Sequence, residues 1–297
     1  MNFVKESINY WCDDVEQNKY LGQGIGVAVL DTGVNVHIDF DSRIVAFKDV
    51  LNNKSKIYDD NGHGTHVCGI IGGSGRVSGG IYGGIAPKCN LIVVKVLDEK
   101  GNGMVVNVLK GLKWVEENRE KYNIRIVNVS VGTLPTAGNK EERMLLEAVD
   151  RLWDLGLIVI AAAGNYGPKE GTITTPGVSK KLITVGALEE REGRKKSYSG
   201  RGPTWECVCK PDVIAPGTFI ISCNGNYMNA KQKPYTRKSG TSMSTPVISG
   251  AVALLLSKYP CLTNVEVKLK LLESCEDMGF SRNHQGRGML NLEKFLQ

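Results

Sequence analysis

GIGVAVLDTGV, residues 24–34, gathers Ile25, Val27, Ala28, Val29 and Leu30 into one short run and closes it with Asp31. Side chains alternate across a strand, so a run apolar on consecutive residues must be covered on both faces. That pattern suits a parallel strand between two layers of helix. Four further runs repeat it: NLIVVKVLD (90–98), IRIVNVSVG (124–132), GLIVIAAAGN (156–165) and KLITVGAL (181–188). Helical stripes lie between them. In GMVVNVLKGLKWVEENREKY (103–122) the residues Met104, Val105, Val108, Leu109, Leu112 and Val115 share a face. In NKEERMLLEAVDRLWDLG (139–156) the stripe is Leu145, Ala148, Val149 and Leu152, and Gly156 is placed to end the helix. The alternation predicts an α/β fold, a doubly wound, mainly parallel sheet with helices on both faces.

Neither an internal repeat nor a linker divides the chain. Residues 1–20 read as an N-terminal arm and 21–297 as one domain. A net charge of +6 is thin over 297 residues, and its one dense cluster, REGRKKSYSGR (Arg191–Arg201), reads as a solvated loop. No single-strand stacking platform is evident, so nucleic acid is not the expected partner. No apolar run reaches the ~18 residues of a membrane span, and the first residues lack a signal-peptide core. The expected location is therefore cytoplasmic. Cysteines stand at 12, 68, 89, 207, 209, 223, 261 and 275. Cys207 and Cys209 form C-x-C with no second pair at metal spacing, so reduced and mostly buried thiols are expected.

In an open α/β sheet, chemistry collects beyond the carboxyl ends of the strands. Asp31, Ser130 and Asn165 all fall there. Two more polar segments need a place. DDNGHGTHVCGIIGG (59–73) carries His63 and His66 at a spacing that does not match the helical zinc pair of metalloproteases. SGTSMSTPVISGAVALLLSKYP (239–260) packs four serines before a long apolar run, and taken alone it is explained by helix capping.

Taken in order, D-T-G after a strand, H-G-T-H opening a helix and G-T-S-M-x-x-P opening another resemble the subtilisin-like serine proteases, the subtilases. The resemblance runs from about residue 22 to 292 and includes GIAP (84–87), VKVLD (94–98), AAAGN (161–165), TPGVSKKLITVGAL (175–188), SGRGP (199–203), KPDVIAPG (210–217) and GTSMSTP (240–246). It is most similar to the intracellular bacterial branch. The resemblance implies a serine endopeptidase with Ser242 as nucleophile, His63 as general base and Asp31 as the acid orienting it. It implies an oxyanion hole from the Asn165 amide and the Ser242 N–H. Substrate would add as a strand between Gly101–Asn102–Gly103 and Ser130–Val131–Gly132. The pocket for the residue before the scissile bond would be walled by 130–132 and by Ala162, Ala163 and Gly164, with Thr174 near its floor.

His66, Ser239, Ser244 and Ser249 are left with structural roles. Residues 130–133 and 161–166 contain no Asp or Glu, so cleavage after apolar residues is expected, with Glu170 the nearest acid. Two positions depart from the family pattern: Val247 stands where a histidine is common, and Thr133 where a second glycine is. The partners implied are protein or peptide substrates and an inhibitory propeptide or inhibitor protein. No cofactor or catalytic metal is required. A structural calcium would have to draw on Asp39 and Asp41, because the loop GGSGRVSGGIYGG (72–84) has no carboxylate. The rival reading is a catalytically weak or inactive pseudoprotease acting as a binding or regulatory module.

Overall fold

The computed structural model describes residues 1–136, 138–188, 197–227 and 232–297. The first six residues of the basic cluster at 191–201 lie outside them. The strands are β1 (Gly26–Asp31), β2 (Ile44–Asp49), β3 (Asn90–Lys95), β4 (Ile124–Val129), β5 (Ile158–Ala162), β6 (Ile183–Leu188), β7 (Val213–Pro216), β8 (Ile220–Cys223), β9 (Tyr235–Lys238), β10 (Cys275–Glu276) and β11 (Met289–Leu290). The helices are α1 (Asn2–Ser7), α2 (Asp13–Glu16), α3 (His63–Gly72), α4 (Val105–Asn118), α5 (Lys140–Asp154), α6 (Thr241–Lys258), α7 (Asn264–Glu273), α8 (Arg282–Gln285) and α9 (Leu292–Leu296).

Among the described residues nine strands form one sheet in the order β10-β11-β7-β6-β5-β4-β1-β3-β2. Pairing is parallel from β2 through to β11, and only β10 runs antiparallel at the edge. The chain leaves β1 toward β2 and β3 on one side, then returns to build β4 to β7 on the other. The strand order therefore reverses at β1, and a crevice opens beyond its carboxyl end. Asp31 sits at that end.

All five strands expected from their apolar runs are present, each shorter than its run because the polar ends leave the sheet. β2, which has no continuous apolar run, is the edge strand beside β3, and most of its residues are only half-buried. Helices α4 and α5 cover one face of the sheet. Helix α6 crosses the other, with Met243 to Leu256 buried throughout. A helix apolar on every side is stable only inside the protein, and α6 is packed between the sheet and α3. Within residues 1–20, Met1, Val4, Ile8 and Tyr10 are buried in the main core, and the Tyr10 hydroxyl donates to the Ile85 carbonyl at 2.9 Å. None of the eight cysteines is in a disulfide. Cys12, Cys68, Cys89 and Cys223 are buried and Cys275 half-buried. Cys207, Cys209 and Cys261 are exposed, because they lie in connections rather than in packed elements.

Candidate active site

Asp31 is fully buried at the tip of β1. Its Oδ1 accepts the Thr32 N–H at 2.7 Å and the His63 Nδ1–H at 2.7 Å. That bond fixes the tautomer and leaves Nε2 as the basic nitrogen. The other oxygen, Oδ2, is buried without a hydrogen-bond partner among the described residues, so the carboxylate gains most from a cation on the ring beside it. Burial of the imidazole pulls its pKa down. The charge and hydrogen bond of Asp31 outweigh this, and the net direction is up from the ordinary 6.5.

His63 opens α3, and the first turn is held by a carboxylate from outside the helix. Asp59 Oδ1 accepts Thr32 Oγ1–H at 2.8 Å, Gly62 N–H at 2.7 Å and Asn61 N–H at 3.1 Å. Its Oδ2 accepts Thr65 N–H at 2.9 Å and Thr65 Oγ1–H at 2.6 Å. Thr32 Oγ1 in turn accepts Gly64 N–H at 2.9 Å. One buried side chain thus ties the residue after Asp31 to the turn that carries His63. Burial works to raise the Asp59 pKa, but these donors overcome it and hold the carboxyl below its usual range. Buried Lys95 completes the frame, donating to Thr32 O at 2.6 Å, Leu97 O at 2.8 Å and Asp60 Oδ1 at 2.6 Å. An aspartate just ahead of a helix is a capping signal, and Asp59 carries it in the sequence.

Ser242 is the second residue of α6. The helix starts at Gly240, whose φ of 145° favours glycine, and a Cβ there would come within 3.3 Å of the Asn165 side chain. Asn165 Oδ1 accepts Thr241 N–H at 2.9 Å and Thr241 Oγ1–H at 3.1 Å. Those donors identify the oxygen end and leave the amide NH2 as a donor at the cleft. The Ser242 hydroxyl donates to the Ser130 carbonyl at 3.0 Å. Pro246 has no N–H to close the helical bond onto the Ser242 carbonyl, which instead receives the Ser130 hydroxyl at 3.4 Å.

His63, Asn165 and Ser242 line one cleft of about 660 Å³ together with Gly101, Asn102, Gly103, Ser130, Val131, Gly132, Ala162, Gly164 and Thr174, and Asp31 lies buried behind His63. Ala163, expected in the pocket wall, is not there. It follows Ala162 along an extended segment, so its side chain turns away and is buried against Ile173 and Val178. Thr174 is wedged between the two walls, and a Cβ on Gly164 would come within 2.3 Å of its methyl carbon. Among the described residues no Asp or Glu lines the cleft, Glu170 included, whereas Lys100 does. Thr133 does as well, held by reciprocal backbone bonds with Thr175.

The remaining candidates lie elsewhere. Fully buried His66 donates from Nε2 to the Ile220 and Thr236 carbonyls at 3.1 and 3.2 Å. Burial, with Lys238 nearby, pushes its pKa down to about 3. Ser239 Oγ accepts the Phe219 N–H, Ser249 donates to Asn128, and Ser244 is buried. The acids named for calcium already have partners. Asp39 is buried and already accepts from Val77 and Tyr235, while Asp41 pairs with Arg76 at 3.0 Å.

A doubly wound sheet with a carboxylate-held histidine and a helix-start serine in one cleft defines a subtilisin-type serine protease. Solved structures of a cold-adapted subtilisin-like serine proteinase and of Sphericase superpose on the chain with TM-scores of 0.72 at 32% identity, covering 91% and 86% of it and 88% and 84% of their own chains. The chain belongs to the Subtilase family, whose model matches residues 22–289, and is a serine endopeptidase. It is 41% identical to Serine protease AprX of Bacillus subtilis (strain 168) over 92% of its length, spanning 66% of that protein. It is 32% identical to Subtilisin DY of Bacillus licheniformis, over 96% of this chain and 95% of that one. Among the described residues no helix is long and apolar enough to cross a membrane.

Proposed function

We propose that the chain hydrolyses peptide bonds through Asp31, His63 and Ser242. The observation that carries this is the 2.7 Å contact between His63 Nδ1 and Asp31 Oδ1 in the cleft that Ser242 lines. In the reaction the Ser242 hydroxyl turns from the Ser130 carbonyl to His63 Nε2, gives up its proton and attacks the scissile carbonyl. The Ser242 N–H, one of the unpaired donors of a helix start, and the Asn165 amide hold the oxyanion. His63 returns the proton to the leaving amine, and water then releases the acyl group by the same route. The turn of Ser242 frees the Ser130 carbonyl to accept an N–H from a substrate strand laid between Gly101–Gly103 and Ser130–Gly132.

The pocket bounded by Val131, Ala162, Gly164 and Thr174 offers no partner for a buried cation. Burying an unpaired Lys or Arg costs several kcal/mol, whereas burying a Leu or Phe gains about 1.5–3 kcal/mol. We therefore assign cleavage after medium or large apolar residues in extended segments, without a cofactor. Matched peptides carrying Leu, Phe, Ala, Arg or Glu before the scissile bond test both statements, with Ser242→Ala as the blank. Leu or Phe should exceed Arg in kcat/KM by at least about tenfold. A preference for Arg contradicts the pocket, and cleavage retained by Ser242→Ala contradicts the mechanism.

We also assign the protein to the cytosol and to the intracellular branch of its family. Eight free thiols, three of them exposed, suit a reducing compartment. A propeptide or inhibitor protein would occupy the same strand-adding cleft. No observation favours a pseudoprotease.

A further inference from the structure

Away from the cleft, three side chains with metal-binding atoms converge in the interior. His37 precedes the 3-10 turn Ile38–Phe40, Asp39 lies within that turn, and Cys223 closes β8. The side chains of His37 and Asp39 are wholly buried, and Cys223 is nearly so. One ligating atom from each lies within 4.8 Å of the other two. We propose that His37, Asp39 and Cys223 form a binding site for a thiophilic divalent cation of the Zn²⁺ type, separate from the catalytic cleft.

The geometry is close to what such an ion needs. His37 Nδ1 and Asp39 Oδ2 are 4.0 Å apart, and Cys223 Sγ and Asp39 Oδ2 are 3.8 Å apart. Bond lengths of about 2.0–2.3 Å around a tetrahedral Zn²⁺ put neighbouring ligands roughly 3.3–3.6 Å apart. A contraction of about half an ångström or less brings these two pairs to that spacing, and the third pair, His37 and Cys223, starts within 4.8 Å.

Each ligand is also backed. His37 Nε2–H donates to the Pro234 carbonyl at 2.8 Å, which places the free lone pair on Nδ1, as in histidines that hold metals. That lone pair now receives the Asp39 N–H at 3.1 Å, and the ion would replace this donor. Asp39 Oδ1 accepts Val77 N–H at 3.0 Å, and Oδ2 accepts the Tyr235 hydroxyl at 2.6 Å. The rings of Phe40, Tyr227 and Tyr235 surround the imidazole.

The donor set selects the ion. One nitrogen, one sulfur and one carboxylate suit Zn²⁺ or Co²⁺ and not Ca²⁺. Without metal the Cys223 Sγ–H donates to Asp39 Oδ2 at 3.8 Å. Binding forms the metal–sulfur bond, breaks the S–H bond and releases that proton to solvent; the thiolate and Asp39 then balance the ion's two charges. The ion would fasten the β8–β9 hairpin to the 38–40 turn. The same hairpin accepts the His66 Nε2–H and donates from Ser222 to the His66 carbonyl, so the clamp bears on the helix that carries His63.

Titrating metal-free Ser242→Ala protein with Co²⁺ tests the site without self-digestion. The expected result is one Co²⁺ per chain, a thiolate-to-cobalt charge-transfer band, one proton released per ion, displacement by Zn²⁺ and a higher Tm with either metal. Cys223→Ser and His37→Gln should each remove the band or weaken binding at least tenfold, while Cys207→Ser/Cys209→Ser leaves both unchanged. If Cys223→Ser fails to fold, slower alkylation of Cys223 in the parent protein when Zn²⁺ is present reads the same contact. A missing band, a band that survives both His37→Gln and Cys223→Ser, or alkylation unaffected by Zn²⁺ overturns the proposal.

Discussion

His63 and His66 stand three residues apart on α3, and their surroundings drive them in opposite directions. The tip of the helix meets the cleft, where the His63 side chain is 25% exposed and bound to a buried carboxylate that raises its pKa. One turn along, the helix faces the β8–β9 hairpin, and His66 meets two backbone carbonyls and, among the described residues, no acid, so burial lowers its pKa to about 3. Residue type and helix are shared. What suits one imidazole to the proposed role of base is a partner that stabilises its cation and an opening through which a substrate can reach it. The other is a buried donor that fastens the helix to the hairpin.

The largest effect that can break this contrast is loss of the base. His63→Ala should lower kcat by roughly 10⁴ or more, and Asp31→Asn by a similar factor, because the imidazole then loses both its fixed tautomer and its support. His66→Asn, assayed per folded molecule in the same steady-state experiment, should stay within about tenfold of the parent. A deep loss in a folded His66→Asn would place the base on the wrong histidine.

Next in size is the oxyanion donor. Asn165→Ala should lower kcat by roughly 10²–10³ with KM nearly unchanged, the established magnitude for loss of this donor in subtilisin. Its Oδ1 is already engaged by Thr241, so the substitution also removes an anchor of α6. A thermal melt alongside the kinetics separates the two consequences. A change confined to KM would reduce Asn165 to a binding residue.

The smallest effects are in pH dependence, where the two histidines have opposite signs. His63 must be neutral to take a proton, so kcat/KM should rise with pH through a midpoint above 6.5 in a pH–rate profile. Its raised pKa favours folding below pH 6.5, and that contribution is lost as pH rises through the folded-state value. His66 behaves conversely. From pH 6.5 down to about 3 the unfolded chain takes up a proton that the folded chain refuses, so stability falls by up to about 1.4 kcal/mol per pH unit. Denaturant unfolding between pH 4 and 7 should show a shallower dependence in His66→Asn than in the parent, and equal slopes would remove the claim that His66 is held neutral.

The strands carrying the site were legible because burial on both faces leaves an unbroken apolar run, and the helices because one apolar stripe recurs along each. β2 gave no such signal, since an edge strand half-open to solvent tolerates mixed residues. Asp31, His63, Asn165 and Ser242 were readable as motifs, and the strand order explains why His63, Asn165 and Ser242 share a cleft with Asp31 buried behind it. The Asp59–Thr32–Lys95 frame was not, because it depends on which strand ends become neighbours, and no local pattern encodes that. Ala163 was misplaced for a simpler reason: a contiguous triplet was assigned to one wall, although neighbouring side chains in an extended segment face opposite ways.

Active-site labelling with a fluorophosphonate, read by peptide mass mapping, tests the central claim most directly. A serine whose hydroxyl is activated by a neighbouring imidazole reacts, and an ordinary serine does not. The account predicts one adduct, on Ser242, in the parent and in folded His66→Asn, and none in His63→Ala. An adduct on Ser130 or Ser244 instead, no adduct on folded parent protein, or undiminished labelling of His63→Ala would contradict it.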